Sequence, residues 1–299
     1  MRALIIGASG QVGAALGERL SARGHGWVGT YARVPRAGLL ALDIADADAT
    51  RSVIDKAAPD WVFCAGALTH VDYCEEHPDE AMRLNRDAPA LVARTAAERG
   101  AGIVFYSTEY VFDGERGPYA EDDPVRPLSV YGRSKLEGER AVVEANPRAL
   151  IVRTTVVYGP EPQGKNFVYQ LLRRGRADER MRAPNDQVSS PTYNVDLAAA
   201  SVELAERGLA GVYHIAGPEV LDRHAFARLA CREFGLDEAM LTPVATAALG
   251  QRARRPLRAG LRIDRARAVL AAPLRGPAEG LRAMREAIGE AEVGDGDRR

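Results

Sequence analysis

The chain has 299 residues, with 40 Lys or Arg and 41 Asp or Glu, and its formal net charge is −1. Near-neutral charge without a basic stripe argues against a protein that binds nucleic acid through phosphate contacts. No apolar run approaches the roughly 18 residues that a membrane-spanning helix needs, and the run at Leu4–Ile6 is too short for a signal peptide.

Short apolar runs and amphipathic segments alternate along the chain. Apolar runs predict strands at 3–6, 27–31, 61–64, 103–107, 150–152 and 212–215. Helical spacing predicts helices at 12–20, 50–57, 78–99 with a break or kink at Pro89, 129–145, 167–174, 196–207, 224–234 and 264–270. Apolar strands that alternate with helices are typical of a parallel sheet covered on both faces. The sequence therefore predicts an α/β fold, a Rossmann-type doubly wound parallel sheet with a smaller C-terminal part.

A glycine-rich segment joins the first predicted strand to the first predicted helix. Gly7 permits a tight turn, Gly10 lets the backbone approach a pyrophosphate, and Gly13 lets helix and strand pack closely. Gln11 and Val12 lie between them, where free N–H groups of the helix N-terminus would face the anion. This order predicts a dinucleotide-binding loop, with a plain strand-to-helix turn as the alternative.

The end of the second predicted strand lacks the acidic residue that commonly holds a ribose 2′-hydroxyl. Arg33 stands there instead and, with Arg36, could pair with a 2′-phosphate, the alternative being one more surface Arg. This favours NADP(H) over NAD(H) as the cofactor. Asp43 and Ile44 suit a turn beside the adenine, with a surface Asp as the equal alternative.

Two further strand ends carry residues suited to a cofactor and its substrate. Ala65, Gly66 and Ala67 follow the third predicted strand, where their small side chains would let the cofactor lie across it. Thr108 ends the fourth strand, where ligands meet an open parallel sheet, and its hydroxyl could hydrogen-bond a substrate carbonyl oxygen. Ser107 is the reserve candidate, and a strand-end cap is the alternative for either hydroxyl.

Tyr131 and Lys135 lie four residues apart at the start of a predicted helix, which places them on one face. A nearby ammonium stabilises a phenolate, so we expect Lys135 to lower the pKa of Tyr131 towards the range useful for proton transfer. Only three of the 40 basic residues are Lys, which makes Lys135 a candidate for a task that Arg cannot perform. Its compact, rotatable donors could also hydrogen-bond a nicotinamide ribose, so Tyr131 and Lys135 are candidates for cofactor binding as well. The alternative is a surface pair.

These features occur in the order found in the extended short-chain dehydrogenase/reductase family, which the chain resembles. The closer resemblance is to the dTDP-4-dehydrorhamnose reductases and their relatives. The segments that carry it are Gly10–Gly13, Ser107–Phe112, Tyr131–Glu139, Asn166–Phe167, Asp186–Gln187 and Pro191–Thr192. The similarity in order and length covers nearly the whole chain.

The resemblance implies transfer of a hydride from NADPH to C4 of a nucleotide-linked 4-keto-6-deoxy sugar. Tyr131 would protonate the developing alkoxide, Thr108 would polarise the carbonyl, and Lys135 would tune Tyr131. The implied organisation is an NADP-binding Rossmann domain, 1–160 with a returning segment near 190–222, and a substrate-binding part, 161–189 and 223–299.

The same resemblance implies contacts with the sugar nucleotide. The residues concerned are Glu109, Asn166, Gln187 and Thr192, together with Asn85, which resembles the family's Asn that supports the proton path; a structural role is the alternative for most of them. Glu109 stands where the family usually has Asp, and Val156 stands where it tends to have Trp, so the identity of the sugar is open. Arg254 lies in the densest basic run, 252–258, which is either a solvated loop or a grip on the substrate diphosphate.

Two other functions remain open. A nucleotide-sugar 4-epimerase would use the same three residues but would hold NAD tightly. A non-catalytic NADP-binding regulatory subunit, similar to the β subunit of methionine adenosyltransferase, would keep the fold and carry the three residues as relics. The expected partner of an enzyme is a nucleotide-linked sugar, with no nucleic acid and no membrane, and a homodimer is left open.

Cysteine usage indicates a reducing compartment. Cys64, Cys74 and Cys231 form an odd, widely spaced set that fits neither a disulfide framework nor a zinc site. The histidines are scattered without close ligand spacing, so no metal site is expected. We therefore predict a cytoplasmic protein.

Overall fold

One parallel β-sheet forms the centre of the molecule. The computed structural model describes the backbone of residues 1–296 and the side chains of residues 1–289. Its strands are β1 Arg2–Ile6, β2 Gly26–Tyr31, β3 Leu40–Ala41, β4 Trp61–Cys64, β5 Gly102–Thr108, β6 Ala149–Thr154, β7 Val157–Tyr158, β8 Met181–Pro184, β9 Val188–Ser189, β10 Thr192–Tyr193, β11 Gly211–His214, β12 Leu221–Asp222 and β13 Leu241–Val244. Seven of them pair in parallel in the order β11-β6-β5-β4-β1-β2-β3.

Helices connect these strands. The α-helices are α1 Gln11–Ala22, α2 Ala47–Ala57, α3 Val71–Glu76, α4 Pro78–Met82, α5 Ala88–Ala97, α6 Val130–Ala145, α7 Phe167–Arg176, α8 Asn194–Glu206, α9 Arg223–Phe234, α10 Asp264–Arg267 and α11 Pro277–Gly296. A π-helical turn, Arg83–Asp87, joins α4 to α5. Within residues 1–296, no helix is both long enough and apolar enough to cross a membrane.

The central strands are apolar on both faces because helices pack against both. Phe63 and Val104 lie in one cluster with side chains of α1 and α8. Their chain neighbours Val62 and Ile103 lie in a second cluster with side chains of α2, α5 and α6. Successive side chains of a strand point to opposite faces, so each strand contributes to both clusters. This arrangement confirms the predicted doubly wound α/β sheet.

The C-terminal part has an apolar cluster of its own. Tyr158 and Phe226 are buried there together with Leu281 and Met284 of α11. The sequence prediction lacks this helix, although Leu281, Met284 and Ile288 follow helical spacing. The division of the chain into a cofactor part and a substrate part stays a prediction, because it concerns ligands.

The predicted strands lie within two residues of the observed ones. The predictions lack the six-residue helix α3 and the strands of two to four residues outside the predicted set, because elements this short carry little periodicity. These strands are β3, β7, β8, β9, β10, β12 and β13. Pro89 lies in the first turn of α5, directly after the π-helical turn. Because Pro has no N–H to give to the carbonyl of Asn85 four residues earlier, the helix changes its hydrogen-bond pattern there.

Arg153 on β6 and Glu139 on α6 form a buried ion pair. Nε and Nη2 of Arg153 donate to the two carboxylate oxygens at 2.9 and 2.7 Å, and Nη1 donates to the Glu121 carbonyl at 3.1 Å. Each side chain of the pair is only 6 % exposed. Two parallel hydrogen bonds make such a pair both strong and directional, so it ties α6 to the sheet.

Replacing Glu139 by Ala should lower the free energy of unfolding by about 3–5 kcal/mol, because the Arg153 charge would stay buried without its partner. Arg140 and Glu137 form an exposed pair on the same helix, and Arg140→Ala is the control, with an expected change below about 1 kcal/mol. Urea unfolding followed by circular dichroism measures both. Equal effects of the two variants would contradict the role given to the buried pair.

Candidate active site

The carboxyl ends of four neighbouring strands meet at one edge of the sheet. Gly7 follows β1, Arg33 lies just beyond β2, Ala65 follows β4, and Thr108 ends β5. Because β5, β4, β1 and β2 are adjacent, the residues predicted to bind cofactor and to act on substrate share one continuous edge. Open α/β sheets bind their ligands at this edge.

The glycine loop brings two strand ends into direct backbone contact. Gly7 has a φ of +84°, and a Cβ on it would lie 2.8 Å from the nitrogen of Gly66. A Cβ on Gly13 would lie 2.2 Å from the carbonyl oxygen of Gly7, so only glycine lets α1 start this close to β1. Gly10 is the N-cap of α1 and offers no side-chain cap, which leaves the helix N-terminus uncovered for an anion. Gln11 and Val12 are half-buried in the first turn.

Two residues that no motif marks hold this loop in place. Thr30 at the end of β2 accepts the Gly7 N–H through Oγ1 at 3.3 Å and the Ala8 N–H through its carbonyl at 2.8 Å. Gln163, from the C-terminal half, donates from Nε2 to the Ser9 carbonyl at 3.0 Å. Glycine spacing does not reveal these contacts, because each joins segments that are distant in sequence.

Most of the residues predicted to contact the adenine, the 2′-phosphate and the neighbouring strand end are exposed to solvent. Arg33 and Ala67 are exposed. Asp43 is exposed too, and its carboxylate accepts the Ala45 N–H at 2.9 Å, which closes a turn. Ile44 packs against the cluster of α2, α5 and α6. Their contacts with a cofactor stay predictions.

Thr108, Tyr131 and Lys135 come together at the end of β5. Tyr131 and Lys135 lie one turn apart on α6, with exposed fractions of 9 % and 2 %. The Thr108 hydroxyl lies close enough to the phenol of Tyr131 to act on its pKa. The ammonium of Lys135 lies 4.0 Å from the centre of the Phe105 ring. The structure thus unites the three residues that the sequence predicts as catalytic.

A helix cap and a glycine set the position of α6. Ser129 accepts the Gly132 N–H through its hydroxyl at 3.1 Å and so caps the helix. A Cβ on Gly132 would lie 2.2 Å from the carbonyl oxygen of Tyr110, so α6 packs directly on the segment that follows β5. The rings of Tyr110 and Tyr131 then meet edge to face, with centres 5.5 Å apart. This packing brings Tyr131 beside Thr108.

Burial dominates the ionisation of the Tyr–Lys pair. Burial raises the pKa of Tyr131, and the negative charge of Glu109 acts in the same direction. Burial also lowers the pKa of Lys135 to about 8. The predicted lowering of the Tyr131 pKa is therefore wrong for the protein on its own, because desolvation outweighs the ammonium, which lies over Phe105. Tyr131 is held as a neutral phenol, which is a proton donor.

Asn85, predicted as a substrate contact, is fully buried in the π-helical turn. Its Oδ1 accepts the Leu68 N–H at 2.9 Å, and its Nδ2 donates to the Leu68 carbonyl and the Ser134 hydroxyl, both at 3.0 Å. Ser134 in turn donates to the carbonyl of Tyr131 at 2.8 Å. Asn85 therefore ties the loop after β4 to α6, which matches the structural alternative, and its predicted role at the site stays a prediction.

The residues of the C-terminal half that are predicted to bind substrate form hydrogen bonds with neighbouring backbone groups and side chains of the protein. Asn166 caps α7 and donates to the Gly159 carbonyl at 2.9 Å. Thr192 is 1 % exposed and donates to a backbone carbonyl two residues earlier at 3.0 Å. Gln187 is half-buried and donates to the side chain of Gln251 at 3.3 Å. These bonds match the structural alternative, and contacts with a substrate stay predictions.

The two departures from the family pattern both lie at this site. Glu109 is 6 % exposed and accepts the Thr108 hydroxyl hydrogen at 3.1 Å. Val156 follows β6 with a φ of +42°, which is rare for a β-branched residue, and its carbonyl accepts the Thr192 N–H at 3.2 Å. Backbone strain of this kind clusters at functional sites.

Helix α3 links the predicted basic run to α6. Asp72 accepts from the guanidinium of Arg255 at 3.0 Å, and Glu75 accepts the N–H of Val130, the first residue of α6, at 2.7 Å. Arg254 is exposed, and it forms no ion pair with the side chains of residues 1–289. The basic run is thus partly anchored through Arg255, and a contact of Arg254 with a ligand stays a prediction.

Arg223 is a further residue of the site that no sequence motif marks. It is the first residue of α9, and its guanidinium lies 5.0 Å from the centre of the Phe167 ring. Its charge acts on both Glu109 and Tyr110, and burial lowers its pKa. A basic residue at a helix N-terminus opposes the helix dipole, and that mismatch was the available sequence signal.

The fold and the site together define the class of this protein. A glycine loop after β1, a hydroxyl at the end of β5 and a Tyr-x-x-x-Lys helix, all at the carboxyl edge of a doubly wound sheet, define an extended short-chain dehydrogenase/reductase. In the described part of the chain, no group of three or more His, Cys, Asp or Glu is placed to hold a metal ion. The chain belongs to the RmlD substrate binding domain family, whose model matches residues 1–289.

Known proteins of similar sequence and structure agree with this family. The chain is 38 % identical over 236 residues to a dTDP-4-dehydrorhamnose reductase of Sinorhizobium fredii, which covers 76 % of each chain. A crystal structure of such a reductase from Clostridium acetobutylicum has a TM-score of 0.88 at 32 % identity and covers 97 % of this chain and 100 % of that one. Another, from Bacillus anthracis in complex with NADP, has a TM-score of 0.87 at 30 % identity and covers 95 % and 98 %. The resemblance seen in the sequence is confirmed.

Gly138 allows α6 to pack on the π-helical turn, since a Cβ there would lie 2.1 Å from the carbonyl oxygen of Asn85. Gly138→Ala should therefore lower the free energy of unfolding by about 1–3 kcal/mol, because the added methyl must displace backbone. Val143→Ala, at a position 49 % exposed on the same helix, is the control and should change it by less than about 0.5 kcal/mol. Urea unfolding measures both, and an unaltered Gly138→Ala variant would refute this account of the packing.

Proposed function

We propose that this protein binds NADPH and reduces the C4 keto group of a nucleotide-linked 4-keto-6-deoxy sugar. The observation that carries the proposal is the meeting of Thr108, Tyr131 and Lys135 at the sheet edge that also bears the glycine loop. Relatives of the same family that match most of this chain are dTDP-4-dehydrorhamnose reductases.

The glycine loop fits a dinucleotide cofactor. The uncovered N-terminus of α1 presents N–H groups to a pyrophosphate, and Gly7 and Gly66 keep the space between the ends of β1 and β4 free of side chains. The relative from Bacillus anthracis is in complex with NADP, and Arg33 is exposed at the position suited to a 2′-phosphate. These points support NADP(H) as the cofactor, with NAD(H) as the alternative.

Bound NADPH supplies the hydride, and the chain supplies the proton and the electrostatics. Tyr131, held neutral by burial, donates its phenolic proton to the C4 oxygen as negative charge develops there. Thr108 donates a hydrogen bond to the same oxygen and so polarises the carbonyl. Lys135, one turn along α6, offsets the negative charge that remains on Tyr131.

We propose that the substrate is bound between the two parts of the chain. Arg223 and Arg254 both offer guanidinium groups suited to a substrate diphosphate. The proposed pocket also includes Glu109, Asn166, Gln187 and Thr192. The proposed division is a cofactor part, 1–160 with 190–222, and a substrate part, 161–189 and 223–299, of which residues 297–299 lie outside the described residues.

The three reactive residues favour an enzyme over a non-catalytic binding subunit. Thr108, Tyr131 and Lys135 are each at most 9 % exposed, and keeping an ammonium and a phenol at that depth costs stability. Tyr131 and Lys135 could also contact a bound nicotinamide cofactor, but a Thr hydroxyl beside a neutral phenol is suited to acting on a carbonyl oxygen. A 4-epimerase would use this arrangement too, but the similar proteins from Sinorhizobium fredii and Clostridium acetobutylicum, at 38 % and 32 % identity, are dTDP-4-dehydrorhamnose reductases, which favours reduction.

We also propose that the enzyme acts in the cytoplasm. Cys64, Cys74 and Cys231 are all free and buried, which suits a reducing compartment. Nucleotide-linked sugar is the proposed small-molecule partner. The homodimer stays a prediction, which light scattering coupled to gel filtration would test.

Tyr131→Phe should lower turnover at least about a hundredfold, because the variant keeps the ring and loses the proton donor. The assay mixes enzyme, NADPH and a TDP-4-keto-6-deoxyhexose and follows absorbance of the reduced nicotinamide. Tyr213→Phe removes a hydroxyl at the edge strand β11 and is the control, with unchanged turnover. If the parent binds NADPH tightly yet reduces no nucleotide-linked ketosugar, the binding-subunit alternative replaces this proposal.

Lys135→Arg should keep the positive charge and still lose turnover about a hundredfold, because the longer planar group cannot occupy the buried place over Phe105. Lys56→Arg, at an exposed position of α2, is the control and should leave turnover unchanged. Thermal melting of both variants checks that the fold persists. If the Lys135→Arg variant turns over substrate at the parental rate, Lys135 does not have the role proposed for it.

A further inference from the structure

The hydroxyl of Thr108 has one hydrogen and two competing uses for it. In the structure, Oγ1 donates that hydrogen to Oε2 of Glu109 at 3.1 Å and accepts the N–H of Tyr110 at 3.2 Å. The proposed reduction needs the same hydrogen for the carbonyl oxygen of the substrate. A hydroxyl cannot donate to both acceptors, so the bond to Glu109 must change before Thr108 can act.

The groups around Glu109 set the pKa of its carboxyl so that both protonation states are populated near neutral pH. Its side chain is buried at the end of β5, where the hydroxyl of Thr155 acts on its carboxyl as well as that of Thr108. It also faces the phenols of Tyr110 and Tyr131 and the guanidinium of Arg223 on α9. Two further charged groups act on the Tyr110 phenol, Asp72 and Arg255. Burial raises the pKa of Glu109 to about 7, so the ionised and the protonated carboxyl coexist near neutral pH.

We propose that Glu109 is a positioning residue whose protonation state decides where the Thr108 hydroxyl points. As a carboxylate, Glu109 accepts the hydroxyl hydrogen and holds it away from the substrate. As a carboxylic acid, it donates its own hydrogen to one lone pair of Oγ1 while the Tyr110 N–H occupies the other. The Thr108 hydrogen is then free for the substrate carbonyl. The consequence for catalysis rests on the proposed function.

The sign of the pH dependence follows directly. Reduction needs protonated Glu109, so kcat/KM should fall as pH rises above about 7, by about tenfold per pH unit for one ionisation. Lys135, whose pKa is about 8, must stay charged and adds a second loss at higher pH. The parent enzyme should therefore lose activity in two steps.

Glu109→Gln separates these two steps. The amide N–H₂ of Gln donates to Thr108 at every pH, while Arg223 favours the amide oxygen on its own side. The variant should match the parent within about threefold at about pH 6 and exceed it about tenfold at about pH 8, because only the Lys135 ionisation remains. Glu109→Ala removes both the acceptor and the donor, so it should also lose the fall from about pH 7, but it should stay slower than Glu109→Gln because no side chain at position 109 orients the Thr108 hydroxyl. Glu115→Gln, at an exposed position nearby, should keep the parental profile.

Two results of this assay would overturn the proposal. One is a Glu109→Gln profile that still falls from about pH 7, since it would assign that ionisation to another group. The other is a Glu109→Gln variant as slow as Glu109→Ala at every pH, since it would show that a donor at this position does not help.

A titration without substrate tests the switch separately from the activity. The infrared carboxyl band that is lost in Glu109→Gln reports the protonation of Glu109. Thr108→Val removes a hydrogen bond from both forms of Glu109, but the bond to the charged carboxylate is the stronger one, so the midpoint of this band should rise, whereas Ser107→Ala should leave it unchanged. An unmoved midpoint in Thr108→Val overturns the coupling. If the parent reduces no ketosugar, the proposed function fails while this titration still decides the coupling.

Discussion

Helix α6 can lie against the end of β5 because two of its residues have no side chains. Gly132 and Gly138 face the carbonyl oxygens of Tyr110 and Asn85 at distances that a Cβ would not tolerate. The two contacts are more than a turn apart, so together they set both the depth and the direction of the helix. Tyr131 is thereby carried to the hydroxyl that ends β5. Without this close packing of α6, the glycine loop and the strand order would not bring Tyr131 beside Thr108.

The depth of the helix also decides the chemistry of the ionisable groups. Burial raises the pKa of Tyr131, lowers that of Lys135 to about 8 and raises that of Glu109 to about 7. All three shifts favour the neutral form, as expected where water is excluded. A neutral phenol suits a proton donor, and a carboxyl that titrates near neutral pH suits a hydrogen-bond switch. One packing constraint thus accounts for the electrostatic character of the whole site.

The C-terminal part completes the site with groups from distant segments. Gln163 bonds to the glycine loop, Arg255 bonds to Asp72 on α3, and Arg223 faces the segment that follows β5. Glu75, also on α3, bonds to the first N–H of α6, so α3 joins the C-terminal segment to the helix of the active site. The sheet edge with the glycine loop and the C-terminal part are therefore connected through specific polar contacts as well as through the chain.

The sequence by itself determined the features that depend on local geometry. Apolar runs located the central strands within two residues, glycine spacing located the loop after β1, and a four-residue spacing placed Tyr131 and Lys135 on one helix face. Only the tertiary structure decided that the pKa of Tyr131 is raised, that Asn85 is buried and that Arg223 lies near Glu109 and Tyr110. These depend on burial and on distances between segments far apart in the chain, which no local pattern encodes.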